Sequence, residues 1–292
     1  MRFPIRFLAV LLLLICIPAS MMAEGMELVS RALPMDFTGG SPLDPDGFVS
    51  DYEYKDPTIS VKIESGRYSG NDYWFADIHI GHPSQLRTVA ADGFDSDMVL
   101  PAATMAERVN AVLAINGDFF CHNNMGYIIR QGVLFKDRLR AKRDLLLIDE
   151  DGDFHFMRQA RKGTGVEEIN GKKIINSFYF GPVIMADGEL TQHYGVDEMA
   201  LKERCQRMCI AQAGPLHYQV LCCGAPDDRS TGMTMREFAK LVRELGMDNA
   251  YNLDGGNSTM MIFRGQKVNV IDNPKVRSIA DIIYFASAAD VE

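Results

Sequence analysis

Two short segments of the chain end an apolar run in the same way. AINGD (114–118) and YNLD (251–254) each close on Asn-x-Asp, setting Asn116 beside Asp118 and Asn252 beside Asp254. Alternation along a strand puts the amide and the carboxylate of each pair on one face. Two amides and two carboxylates could then meet at a common cleft, where a carboxylate serves as nucleophile or as base for water. The competing reading is that both are Asx turns that simply close strands. Gly255 and Gly256, which let backbone approach closely, tilt the pair toward the cleft.

Two arginines add an anion to this chemistry. Arg207 lies in the apolar run QRMCIAQ (206–212), and Arg277 opens VRSIADIIYF (276–285). A guanidinium in such surroundings is costly unless it finds an anion or a carboxylate, so each arginine is either a phosphate ligand or half of a salt bridge. Glu237 is an acid with a simpler explanation: with Thr234 it completes a capping box. The histidines show no pair at ligand spacing, and His122, just after NGDFFC, is the one near the candidate site.

The elements that would position these residues are mostly strands. ISVKIES (59–65) and DYWFADIHIG (72–81) alternate, and DLLLIDEDGDFHFM (144–157) reads as a hairpin turning at Asp151-Gly152. SFYFGPVIMADGEL (177–190) and CQRMCIAQAGPLHYQVLCCG (205–224) read as two more hairpins. Helical spacing is confined to 98–110, with Pro101 early, and to the stripe Met235, Phe238, Val242 and Leu245, stopped by Gly246. The expected fold is therefore α+β: a single domain with a mixed, largely antiparallel hairpin-rich sheet and a few packed helices.

The first 23 residues read as a signal peptide. Arg2 and Arg6 precede an apolar run from Phe7 to Ile17, too short to span a bilayer comfortably, and small residues follow. A secreted or extracytoplasmic protein is expected, with membrane anchorage through an uncleaved signal as the variant. Residues 24–58, with Pro34, Gly39-Gly40, Pro42, Pro45 and Pro57, read as an extended lead-in, and 59–292 as the main domain. Without Arg2 and Arg6, the 39 acidic residues leave a net charge of −11, which argues against a nucleic-acid partner. Cys121, Cys205, Cys209, Cys222 and Cys223 are read as buried thiols or one disulfide rather than a zinc cluster.

AINGDFF, GPVIMADGEL, RMCIAQ, the block STGMTMREFAKLVRELGMDNAYNLDGGNSTMM and RSIAD follow one another as in the phosphodiester glycosidase family. The chain resembles that family from about residue 59 to 287. The resemblance implies site positions at Asn116, Gly117, Asp118, Arg207, Asn252, Asp254, Gly255, Gly256, Ser258 and Arg277. Asn257 and Ala211 stand where the family usually has small residues or glycine, which would change the shape of the pocket.

The implied activity is hydrolysis of a glycosyl phosphodiester, such as an N-acetylglucosamine-1-phosphodiester, to free sugar and a phosphomonoester. Expelling a phosphate monoester demands little acid assistance, because its last proton dissociates near pH 6. Asp254 or Asp118 would supply the carboxylate, Arg207 supported by Arg277 would hold phosphate, and Asn116, Asn252 and Ser258 would bind oxygens of the substrate. The expected partner is a glycosyl phosphodiester or an envelope glycan. No cofactor is demanded, and a divalent cation is the one candidate. Two alternatives stand beside this: a metal-assisted phosphodiesterase cutting the P–O bond, with a cation held by the Asn-x-Asp pairs, and a non-catalytic polysaccharide-binding envelope protein.

Overall fold

A computed structural model describes residues 27–118, 126–139, 142–191, 201–224, 230–270 and 277–290. The expected signal segment, Cys121, His122 and His193 lie outside the described residues.

Alternation is what builds the framework. In the strand Ile59–Tyr68, Ile59, Val61 and Ile63 are buried while Lys62 and Glu64 face out, and this strand pairs along its whole length with Asn71–Ile80. The latter pairs with His217–Cys223, which turns back on Met208–Gly214, and Ala250–Asn252 closes that side. At the other edge lie Glu53–Lys55 and Phe48–Ser50, completing seven strands. The lead-in thus carries more regular structure than its prolines suggest: residues 27–44 have no regular element, but its last part supplies the two outermost strands on this side of the sheet.

A second sheet of five strands has Ala111–Asn116 at its centre, between Met261–Phe263 and Asp281–Ala286. A third, of four strands, is built around the hairpin Arg143–Asp149 and Phe154–Ala160. One core joins all three: Val61 and Ile78, Leu113 and Ile283, and Leu146 and Ile148 belong to the same buried cluster. Ala111–Asn116 is buried on both faces, with Leu113 and Ile115 toward that core and Ala114 toward the helix Ala102–Arg108. An unbroken apolar run is the signature of such a central strand.

Two expectations are corrected. Among the described residues every strand pairing is antiparallel, in several sheets rather than one mixed sheet, and two α-helices are bounded, so the domain is more β-rich than an α+β description. Most apolar patterns here repeat every two residues and close through tight turns, which leaves little chain for helix. The first helix is also shorter than its spacing suggests, because Leu100 bridges Ile279 and Pro101 is the cap. The helix Met235–Glu244 has the capping box Thr234/Glu237 as expected; it covers Cys209, Ala211, Leu221 and Cys223 on the outer face of the seven-stranded sheet. Cys205, Cys209, Cys222 and Cys223 are free, with Cys222 and Cys223 in opposite cores as neighbours on a strand must be.

Candidate active site

The central strand ends at Asn116, and the strand Ala250–Asn252 ends as its own Asn-x-Asp begins. Asn116 joins the two segments. Its Nδ2 donates to the Asp254 carbonyl oxygen at 2.9 Å, and its Oδ1 accepts from the Met260 backbone N–H at 3.1 Å. Both sides of the loop 254–260 are thereby fixed to the end of the central strand. Asn116 acts as a positioning residue: its amide is spent on the backbone of Asp254, Gly117 and Met260.

The glycine pair works as anticipated. A Cβ on Gly255 would lie 2.8 Å from the Gln206 carbonyl oxygen, and Gly256 has φ +58°. Gln206 also closes the loop from the other side, accepting from the Gly256 N–H at 2.9 Å and donating from Nε2 to the Gly256 carbonyl at 2.9 Å. Sequence reasoning passed over Gln206.

Around this loop lies a narrow cleft of about 10 Å³ lined by Asn116, Gly117, Asp254, Ser258, Arg277 and Asp281, with the backbone between the last two. Asp254 is half-buried, and its Oδ1 accepts from the Gly255 N–H at 2.8 Å. Burial raises its pKa and the Asp118 charge adds to that, against the opposing pull of Ser258, the Gly255 N–H and Arg277. Ser258 Oγ is buried and makes no hydrogen bond of ordinary geometry, so it acts on Asp254 as a nearby dipole. Arg277 is exposed at the rim, and among the described residues no carboxylate pairs with it.

Beneath the cleft is a charge cluster that sequence reasoning missed. Arg130 is fully buried, and its Nη2 meets Asp118 Oδ1 at 2.9 Å and Asp281 Oδ2 at 3.2 Å. Its Nη1 donates to the Ser177 and Ile129 carbonyls, and Phe178 lies 4.4 Å from the guanidinium carbon. Asp118 accepts in addition from the Tyr179 N–H at 2.8 Å. One cation cannot neutralise two buried carboxylates. Burial accordingly pushes the Asp281 pKa up, to about 7, with Arg130 opposing and the charges of Asp118 and Asp254 reinforcing. Gly117 is required here, since a Cβ would fall 2.2 Å from the Asp281 carboxylate.

The predicted residues therefore divide. Asn116, Gly117, Asp254, Ser258 and Arg277 come together at the cleft. Asp118 lies next to it, bound to Arg130. Asn252 faces away, donating to the Gly181 carbonyl at 2.8 Å. Arg207 is set apart from the lining; its Nε donates to the Met233 carbonyl at 3.1 Å and its Nη2 to the Glu203 carbonyl at 2.7 Å. The Asn-x-Asp pairs do not form a cation nest, because the Asn116 oxygen and both Asp118 oxygens are already taken. The described residues that could hold a metal are elsewhere: Asp77, His79 and His217, on the seven-stranded sheet.

The family model for phosphodiester glycosidase matches residues 109–286. A SPbeta prophage-derived uncharacterized protein of Bacillus subtilis, YomE, is 27% identical over 185 residues; the match covers 62% of this chain and only 28% of that protein. Among solved structures, the catalytic domain of zebrafish N-acetylglucosamine-1-phosphodiester alpha-N-acetylglucosaminidase, auto-inhibited by its pro-peptide, superimposes with a TM-score of 0.62. Identity there is 16%, over 80% of this chain and 84% of that one. A hypothetical protein from Synechocystis gives a TM-score of 0.53 at 16% identity, over 78% of this chain and 62% of that one. At such identities the structural likeness is one of fold.

Proposed function

Because the chain belongs to the phosphodiester glycosidase family, we propose that its cleft hydrolyses a glycosyl phosphodiester, with an N-acetylglucosamine-1-phosphodiester as the first substrate to try. The observation that carries this reading is that one cleft holds both a half-buried carboxylate of raised pKa, Asp254, and a cation at the rim, Arg277, that no carboxylate neutralises among the described residues.

In this scheme Arg277 holds the phosphate and Asp254 faces the anomeric carbon. The C1–O bond breaks and its electron pair leaves with the phosphate. The new bond to C1 comes from water deprotonated by Asp254, or first from the Asp254 carboxylate itself and then from water. Asp281, whose raised pKa keeps a proton near neutrality, supplies a hydrogen bond or proton to an oxygen of the substrate in the cleft. Asp118 and Arg130 set the field in which both carboxyls work. Arg207 supports the site by tying 203–207 to the Met233 backbone.

Export to the outside of the cytoplasmic membrane, on the strength of residues 1–23, belongs to the same proposal, and an envelope or extracellular polymer is the expected natural substrate class. Among the described residues no helix is long and apolar enough to cross a membrane.

The test is to incubate the purified chain with an N-acetylglucosamine-1-phosphodiester and look for free sugar with phosphomonoester. Turnover should vanish in Asp254→Asn and fall sharply in Arg277→Ala; unchanged turnover in both would remove these residues from their roles.

A further inference from the structure

Away from the cleft, one group of side chains has no part in the scheme above. His79 and His217 are 138 residues apart in sequence, but they face each other in register across the strands Asn71–Ile80 and His217–Cys223. Asp77 lies two residues before His79, hence on the same face. Both rings turn Nε2 to that carboxylate: His217 to Oδ1 at 2.7 Å and His79 to Oδ2 at 3.3 Å. The rings are stacked, 3.9 Å between centroids and 17° from parallel.

We propose that Asp77, His79 and His217 form a binding site for one divalent first-row transition-metal cation. The three ligand atoms lie within 4.8 Å of one another. Ligands of a tetrahedral zinc ion, at about 2.0–2.1 Å from it, sit roughly 3.3 Å apart, so small side-chain rotations suffice. Two imidazoles and one carboxylate select a borderline cation such as Zn²⁺ over calcium or magnesium, which take oxygen ligands. The side chains are 48%, 27% and 36% exposed for His79, His217 and Asp77, which leaves the remaining coordination position to water.

Lys62, directly across from Asp77 on the neighbouring strand, is paired with Glu64 at 2.8 Å. Gln219, across from Asp77 on the other side, keeps a buried Oε1 without a hydrogen-bond partner. The site belongs to the turn end of the hairpin, where His217 pairs with Gly214; the strand that leads into the cleft pairs with the opposite end, at Cys209. Its role is therefore to clamp two central strands, and binding raises stability by mass action.

The experiment uses the full purified chain, stripped with a chelator and dialysed against Zn²⁺ at neutral pH. One Zn²⁺ per chain and a melting temperature that rises with Zn²⁺ are expected, and Co²⁺ in its place should give visible absorption bands. His79→Ala, His217→Ala and the isosteric Asp77→Asn should each weaken binding at least tenfold. His155→Ala, whose ring binds Asp149 on another sheet, should not. Circular dichroism of each metal-free variant checks that it is folded. Binding well below one per chain by the unaltered protein, or stoichiometric binding that survives in the folded triad variants, would overturn the proposal.

Discussion

Asn116 donates its side-chain amide to the backbone carbonyl of Asp254 across 138 residues of sequence, at 2.9 Å. The two Asn-x-Asp segments are thus linked physically as well as alike in pattern, and the carboxylate of the second is placed by the amide of the first. Asn116→Ala removes this bond and the one to Met260, leaving a buried N–H and C=O unsatisfied. It should cost about 2–6 kcal/mol, at roughly 1–3 kcal/mol for each orphaned group, and reduce turnover as well. Urea unfolding together with kcat measures both.

Arg130 is the opposite kind of residue, a fully buried cation shared by two carboxylates. Arg130→Met leaves the buried Asp118 carboxylate without its cation and should cost about 3–5 kcal/mol, more than replacing that carboxylate by its amide. Chemical denaturation of Arg130→Met and Asp118→Asn at one pH checks the order.

The raised pKa of Asp281 has a definite sign in stability. From about pH 4, the ordinary carboxylate range, up to about 7, the folded protein holds a proton that the unfolded chain has released. The contribution of this group therefore favours folding below that window and is lost as pH rises through it. The difference in stability between Asp281→Asn and the unaltered protein should thus grow with pH from about 4 to 7 and then level off. Unfolding curves across pH 4–8 show whether it does.

Gly117 permits the close approach of backbone to Asp281, and the alanine methyl of Gly117→Ala would displace that carboxylate from Arg130. A loss of about 1–3 kcal/mol and of most activity is expected. Gly214→Ala, which meets nothing within 4 Å and has no positive φ, is the control; equal melting temperatures for the two variants would contradict the steric argument.

The arginines should separate kinetically. Arg277→Ala should raise KM and lower kcat/KM by about 10²–10³-fold, with little change in stability, because the side chain is at the rim. Arg207→Ala should lower the melting temperature, because it strands the Met233 and Glu203 carbonyls. A steady-state comparison alongside thermal unfolding distinguishes them.

What could be read from sequence was what is local. The alternation of ISVKIES, the capping box at Thr234 and the Asp151-Gly152 turn involve residues within a few positions of one another, and each is present. So are the glycines beside Asp254, whose need follows from close backbone approach. Arg130 escaped notice because GYIIR resembles an ordinary strand ending in a solvated charge, while its partners are 12 and 151 residues away. His79 and His217 were dismissed for the same reason: only the register of two strands brings them together. Arg207 stands out in the sequence as a charge needing a partner, and the Met233 and Glu203 backbone carbonyls are among the partners it finds.

The central claim is that water attacks the sugar carbon and phosphate leaves. Hydrolysis of an N-acetylglucosamine-1-phosphodiester in oxygen-18 water tests it most directly, with mass spectrometry of both products. C–O cleavage predicts the label in the released sugar and none in the phosphomonoester. Label in the phosphate would contradict the account and place the reaction at phosphorus.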